Sequence, residues 1–258
     1  MEMKVLAVGD VVAPSGVEYL THRLRALKKE RGIDFCVVNG ENASVLGMTP
    51  RQAEEFFDAG ADVITMGNHT WGRRELVPYL AQTDAVLRPA NLPPTQPGRG
   101  WGIFRTDFGE VAVIDLIGRV NMDYTPDNPF LAVERILKRI ETKLILVELH
   151  AEATSEKLAM GRMLDGRVSA VWGTHTHVQT ADEQVFPHGT GYLTDLGMTG
   201  PRDSVLGIRP ELSVSKFRGE LTGRYEPAPG PCKLEGCIFT LDAENGRCIG
   251  AERVVLHD

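Results

Sequence analysis

Four of the chain's seven histidines directly follow apolar runs, and most stand near residues that offer oxygen ligands. VITMG leads into Asn68-His69, ILVEL into His150, and VSAVWG into Thr174-His175-Thr176-His177, while VLAVG ends on Asp10 and FCVVNG on Glu41-Asn42. Taken singly, each has a local explanation. An Asp after a strand is commonly a turn or helix cap, Asn42 and Asn68 suit turns with left-handed backbone, and a lone histidine at a strand terminus is commonly just hydrogen-bonded. Even His175 and His177 could simply alternate sides of an extended segment. The set as a whole resists that account, because caps and turns do not require histidine after apolar strands in three separate places.

Two carboxylates, two carboxamide oxygens and three or four imidazoles suit borderline cations such as manganese, iron or zinc, whereas magnesium alone prefers oxygen and water. Seven ligating side chains are too many for one catalytic ion. Two ions about 3.5–4 Å apart, bridged by a carboxylate, use them well and form a clamp for in-line attack at phosphorus.

The elements that must position these residues read as an α/β alternation. VLAVG (5–9) precedes an amphipathic GVEYLTHRLRALKKE; FCVV (35–38) precedes TPRQAEEFFDAG, with Thr49 as N-cap and Pro50 at the first helical position. VITM (63–66) leads to RRELVPYLAQ, where Pro78 predicts a kink or a late start. NLPPTQPGRG (91–100) is a turn-rich loop, and WGIFRTDF with EVAVIDLIG reads as an antiparallel pair. Helices are expected at 129–141 and 154–164, with strands at 143–149 and 168–172. Beyond Thr190 the pattern predicts strands and turns, with Glu244-Asn245-Gly246 marking a hairpin. In open α/β sheets ligands collect at the carboxyl ends of strands, which is where all five stretches lie.

With 258 residues, 42% of them hydrophobic, the chain can bury a sizeable core, and one domain over 1–258 is expected. A net charge of −7 without long single-sign blocks argues against long nucleic acid as a partner. No apolar run reaches the roughly 20 residues of a membrane span, and MEMKVLAVGD enters a strand pattern without a charged n-region and cleavage site. We therefore expect a cytoplasmic protein. Cys36, Cys232, Cys237 and Cys248 fit no zinc-ribbon or finger spacing and read as small hydrophobes packed in strands.

In order along the chain, GD (9–10), NGEN (39–42), GNH (67–69), ELH (148–150) and GTHTH (173–177) resemble the motifs of the calcineurin-like metallophosphoesterase superfamily. Two departures stand out. The usual D-x-H is Asp10-Val11-Val12 here, and Glu41 followed by Asn42 replaces the usual Asp bridge. Together with DVVAPSG and YLTDLGMTGP (192–201), these variants resemble the YmdB-type branch, bacterial cytosolic phosphodiesterases active on 2′,3′-cyclic nucleotides. The resemblance implies a four-layer α-β-β-α sandwich of two mixed sheets flanked by helices, and two metal ions, iron or manganese, with zinc possible on ligand chemistry. It also implies that Asp10, Asn42 and His177 hold one ion, that Asn68, His150 and His175 hold the other, and that Glu41 bridges both. Alternate positions on an extended loop would let His175 and His177 face different ions. His69 matches the family's catalytic histidine, the proton donor to the leaving oxygen.

Smaller roles are open on sequence alone. Asp182 and Asp195 would serve as acceptors that orient ligand imidazoles or as turn residues; His188 reads as a surface turn, and His22 and His257 as solvent-facing. Trp71, Trp101 and Trp172 read mainly as core. The implied partner is a small phosphate ester, with homo-oligomerisation expected from size. The rival readings are a phosphomonoesterase of broad specificity and a regulatory nucleotide-binding protein whose metals only hold loops. A dinucleotide-binding domain has little support, since GDVVAPSG lacks G-x-G-x-x-G.

Overall fold

The computed structural model describes residues 1–123 and 125–257. Its first half alternates β1 (Glu2–Val8), β2 (Asp10–Val11), α1 (Ala13–Arg31), β3 (Phe35–Asn39), α2 (Pro50–Ala59), β4 (Val63–Thr65), α3 (Leu76–Leu80) and β5 (Val86–Leu87). The middle holds β6 (Trp101–Thr106), β7 (Gly109–Ile117), α4 (Pro129–Leu137), β8 (Leu144–His150), α5 (Thr154–Leu164) and β9 (Ala170–Thr174). The remainder is β10 (Gln184–Val185), β11 (Gly191–Leu193), β12 (Met198–Pro201), α6 (Pro210–Phe217), β13 (Cys232–Asp242) and β14 (Cys248–His257).

Local chemistry sets most boundaries. Thr49 accepts from the backbone of Gln52 while the Gln52 side chain reaches back, a complete capping box, and Gly60 closes α2 with φ 112°. Pro78 delays α3 rather than kinking it: as the third helical residue its missing N–H falls among donors that have no partner in the helix anyway. The helix expected over 129–141 stops at Leu137, where the ladder tightens to Arg139 N–H on the Ile136 carbonyl and Ile140 N–H on that of Leu137. The larger departure is α6, a helix in a region expected to hold only strands and turns. Pro210, a helix-starting residue in the first turn, was its local signal.

Two mixed sheets result. The eight-stranded sheet runs β2-β12-β13-β1-β3-β4-β5, with β14 beside β13; the six-stranded sheet runs β10-β11-β9-β8-β7-β6. β6 and β7 pair antiparallel and β13 and β14 form the expected hairpin. Met3, Val5 and Ala7 of β1 pack in one cluster with Val113, Leu146 and Trp172 of the other sheet. Leu6 and Val8, on the opposite face of the same strand, pack with Leu20 and Leu24 of α1 and Phe56 of α2. On the six-stranded sheet, Ile114, Val147 and Val171 pack with Val133 of α4 and Met160 and Leu164 of α5. Burial on both faces is why the central strands read as unbroken apolar runs instead of alternating.

Candidate metal centre

The carboxyl ends of β3 and β4, the short strand β2, and the carboxyl ends of β8 and β9 converge at one edge shared by the two sheets. Asp10 opens β2, opposite Met198, and is fully buried. Its Oδ2 accepts the His175 backbone N–H at 3.2 Å, and its Oδ1 lies 3.6 Å from His177 Nε2. Glu41 and Asn42 sit in the turn after β3, where Asn39 Oδ1 accepts the Glu41 N–H at 3.1 Å. Asn42 Nδ2 is 3.1 Å from His177 Nε2, 2.8 Å from Glu41 Oε1 and 3.4 Å from Asp10 Oδ1. Across the site, His150 Nε2 is 2.7 Å from Asn68 Oδ1, 3.1 Å from His175 Nδ1 and 3.4 Å from Glu41 Oε1.

Asp10, Asn42 and His177 are thus neighbours, as are Asn68, His150 and His175; Glu41 touches a member of each group, and Asp10 Oδ1 also lies 4.0 Å from His150 Nδ1. All seven residues expected as ligands are brought together. The Glu41, His150 and His175 ligand atoms lie within 4.8 Å of one another. Gly67 is needed for this: a Cβ there would stand 2.4 Å from Glu41 Oε2 and 2.5 Å from His150 Cδ2. His69 joins the group through its backbone N–H to Glu41 Oε2 at 2.9 Å and its Nδ1 at 3.1 Å from both Glu41 Oε1 and Asn42 Oδ1. A third of its side chain remains exposed.

One expectation is corrected. The segment carrying His175 and His177 is not extended: their φ angles are 98° and 62°, in the left-handed region that non-glycine residues seldom occupy. The two rings nevertheless diverge, because tertiary contacts hold the strained turn. Asp10 takes the His175 N–H, and Asp195 Oδ2 takes the Thr176 N–H at 3.2 Å while paired with buried Lys157 at 2.6 Å. Strain of this kind concentrates at functional sites, where surrounding structure enforces it.

Beneath the site lies a network that sequence reasoning missed. Thr174 Oγ1 donates to Glu148 Oε1 at 2.8 Å and lies 2.9 Å from His150 Nδ1. A proton on Nδ1 shared with Thr174 leaves the Nε2 lone pair facing the cluster. Glu148 also accepts from Asn39 Nδ2 (2.7 Å), Thr65 Oγ1 (2.7 Å) and Trp172 Nε1 (3.0 Å), so one carboxylate ties β3, β4, β8 and β9 together. Its signal was an acid inside the buried run ILVEL, two residues before His150 on the same strand. Glu152, also unforeseen, places Oε2 3.3 Å from His175 Nε2, on the side of the ring away from His150.

Other expected helpers lie elsewhere. Asp195 orients the loop backbone and not an imidazole; Asp182 accepts from the hydroxyl and N–H of Thr194. His188 pairs with Asp165 at 2.9 Å in an exposed turn. Trp71 packs against the helical side of the core, and Trp172 is fully buried between the sheets.

Electrostatics favour a cation. Burial by itself would push the Glu41 carboxyl up, yet His150 and His69 outweigh it and hold Glu41 well below the usual carboxylate range. Asp10 is held low against its burial, chiefly by His177. In return, against burial, Glu41 and Asp10 raise His150 to about 9, and Asp10 raises His177. Burial and the neighbouring His150 charge push His175 down to about 4, leaving it neutral. Two anionic carboxylates are therefore recruiting positive charge onto adjacent rings, and a metal ion bound through the same oxygen and nitrogen atoms would supply that charge directly. The residues present fit a metal.

Fold and site together define a mixed α/β protein with a candidate metal centre where its two sheets meet. The chain belongs to the YmdB-like protein family, whose model matches residues 6–254. It is 40% identical over 259 residues to the 2′,3′-cyclic-nucleotide 2′-phosphodiesterase of Bacillus subtilis (strain 168), covering 99% of this chain and 98% of that one. Two crystal structures are similar at a TM-score of 0.93. One is a hypothetical protein from Thermus thermophilus, 36% identical, covering 99% of this chain and 100% of the other. The second is a novel phosphatase from Mycoplasma pneumoniae, 31% identical, covering 100% of this chain and 94% of the other.

Proposed function

We propose that this chain is a phosphodiesterase with a dinuclear metal centre that hydrolyses small phosphate esters, 2′,3′-cyclic nucleotides above all. The observation that carries the reading is the position of Glu41 in contact with both Asn42 and His150, one from each three-residue group of side chains, which suits a bridging carboxylate. The similarity to the Bacillus subtilis phosphodiesterase supports the substrate class. Asp10, Asn42 and His177 would hold one ion and Asn68, His150 and His175 the other, iron or manganese by their mixed oxygen and nitrogen chemistry, with zinc also compatible. Bound cations would supply an activated water and neutralise phosphoryl charge.

The chain's own residues do the rest. Glu148 and Thr174 hold His150 in one orientation, and Glu152 does the same for His175. His69, partly open to solvent beside Asn68, is placed to donate a proton to the leaving ribose oxygen, whose high pKa makes that donation matter.

The same reading extends to architecture and setting. Three apolar clusters, one between the sheets and one on each outer face, support four α-β-β-α layers forming one domain over 1–258. Four buried free thiols suit a reducing cytoplasm. Among the described residues no helix is long and apolar enough to cross a membrane. Assembly as a homo-oligomer is part of the proposal and is checked by light scattering.

Metal analysis of the purified protein, coupled to turnover of 2′,3′-cyclic AMP and of a phosphate monoester, tests the function. We expect two transition-metal ions per chain and faster turnover of the cyclic diester. Faster monoester turnover would replace the diesterase reading with that of a phosphatase. Full metal occupancy with hydrolysis of neither compound would leave only a nucleotide-binding role.

A further inference from the structure

A cleft of about 460 Å³ starts at the candidate metal centre, since Asn42 and His177 form part of its wall. A molecule whose phosphate rested on the cluster would extend along it. The remaining lining is unlike the cluster. Val45, Leu46, Leu206 and Ile208 are apolar, Tyr225 adds an aromatic ring, and the charged members are Arg73 and Arg224. Leu46 and Leu206 are about half exposed, 49% and 47%, although each is a large apolar side chain. Such a mixture of apolar surface, one ring and a few donors is what a flat, partly polar heterocycle requires.

Three independent features indicate that the cleft is built rather than incidental. Val45 (φ 68°), Leu206 (φ 55°) and His177 (φ 62°) all line it in left-handed backbone, and for a β-branched valine and a leucine that conformation is strained. The wall around Leu46 is fixed by backbone packing, since a Cβ on Gly72 would fall 2.7 Å from the Leu46 carbonyl group. Arg73 donates through Nη2 to the Ser44 carbonyl at 2.9 Å, while its buried Nε–H meets no acceptor among the described residues. A buried guanidinium N–H without a partner costs stability that an arriving acceptor would restore.

Lys216 lies over the Tyr225 ring at 4.7 Å from the centroid, so a base would have to stack on the opposite face. The Leu206 carbonyl lies 3.1 Å from His177 Nδ1, so the apolar wall and the metal-facing imidazole are joined directly.

We propose that this cleft is the nucleoside subsite: the base stacks on Tyr225 between Val45 and Leu206, and Arg73 donates to an acceptor atom of the sugar or base. The proposal rests on the reading of the chain as a cyclic-nucleotide phosphodiesterase, and it names Tyr225 as the residue that separates nucleotides from other phosphate esters.

The test compares wild type, Tyr225→Ala and Tyr225→Phe on 2′,3′-cyclic AMP and on methyl ribofuranoside 2′,3′-cyclic phosphate, which lacks a base. Calorimetric binding of adenosine 3′-monophosphate is measured in parallel. Wild type should prefer the base-bearing ester. Tyr225→Ala should raise its KM about tenfold or more, with a smaller change in kcat, and should lose the preference. Tyr225→Phe keeps a ring and should keep the preference. Equal losses on both esters in Tyr225→Ala, or an undiminished preference, would overturn the subsite while leaving the phosphodiesterase reading intact. Hydrolysis of neither ester by wild type, with Tyr225-dependent binding of the monophosphate, would sink that reading and uphold the subsite. Neither hydrolysis nor Tyr225-dependent binding would end both.

Discussion

The two sheets contribute different chemistry to the edge they share. Strand β2 and the loops of the eight-stranded sheet bring Asp10, Glu41, Asn42 and Asn68, all with side-chain oxygens, together with His69. The six-stranded sheet brings His150, His175 and His177, whose side chains offer ring nitrogens. Oxygen and nitrogen donors of the kind that borderline transition metals accept meet only where the two sheets pack face to face. Their supports differ as well. The oxygen-bearing side is held mainly by contacts among these residues themselves, such as Asn42 with Glu41 and Asp10. The nitrogen side leans on a carboxylate network, Glu148 through Thr174 to His150, and on Asp195 and Lys157 under the strained loop. Imidazoles need this because a metal uses one ring nitrogen, so the other must be held for the ring to keep its orientation.

The strongest way to break this division is to remove a proposed nitrogen ligand from the middle of the site. His150→Ala should lose at least one ion per chain by elemental analysis, with a fall in turnover beyond the ~10²–10⁴-fold that a general acid contributes. Unchanged metal content would mean that the oxygen side suffices by itself. His69→Ala asks whether the one histidine on the oxygen side differs in kind. Its kcat should drop by about 10²–10⁴-fold at full metal occupancy, whereas metal loss would make it a ligand and full activity would remove the donor role.

Thr174→Val cuts the support of His150 while preserving shape. Metal affinity should weaken by roughly 10–100-fold, read by competition with a chelator. Affinity equal to wild type would show that the Glu148 network is dispensable.

Asp115→Asn probes the acidic layer underneath with the smallest expected effect. Burial, with Glu148 paired beside it across β7 and β8, pushes the Asp115 carboxyl well above the usual range, and its Oδ1 has no partner among the described residues. A carboxyl whose folded pKa is raised contributes stability that is fully present below its unfolded pKa of about 4 and is lost as pH rises toward the folded value. Asparagine removes that loss. The variant should be more stable by on the order of 1 kcal/mol, about 2–4 °C in Tm, at pH 8 and close to wild type near pH 4. A gain that is constant with pH would show that ionisation is not involved.

How legible these features were in the sequence depended on how local their causes were. The Thr49 cap of α2, the β6–β7 pair and the helix at 154–164 follow from neighbours a few residues apart, and they stand where the sequence placed them. That Asp10, Glu41, Asn42, Asn68, His150, His175 and His177 belong to one cluster was also visible, because such residues recur at the ends of apolar strands. Glu148 was not, since an acid in a buried strand announces a partner without saying which one, and its partners come from three other strands. The left-handed turn of His175 and His177 was equally hidden. Nothing nearby in sequence favours it; contacts with Asp10 and Asp195 impose it. In α6 a local signal existed and the surrounding turn residues obscured it.

By itself, then, the sequence determined the alternation of strands and helices and the placing of side-chain oxygen and nitrogen donors at strand ends, because hydrophobic period, caps and residue chemistry act over short range. Tertiary structure alone decided that these ends meet at one edge, that Glu41 touches both Asn42 and His150 there, and that a cleft lined in part by Tyr225 opens beside them. Those outcomes depend on how two sheets pack across a common core, a sum of many weak long-range contacts that no single stretch of chain encodes.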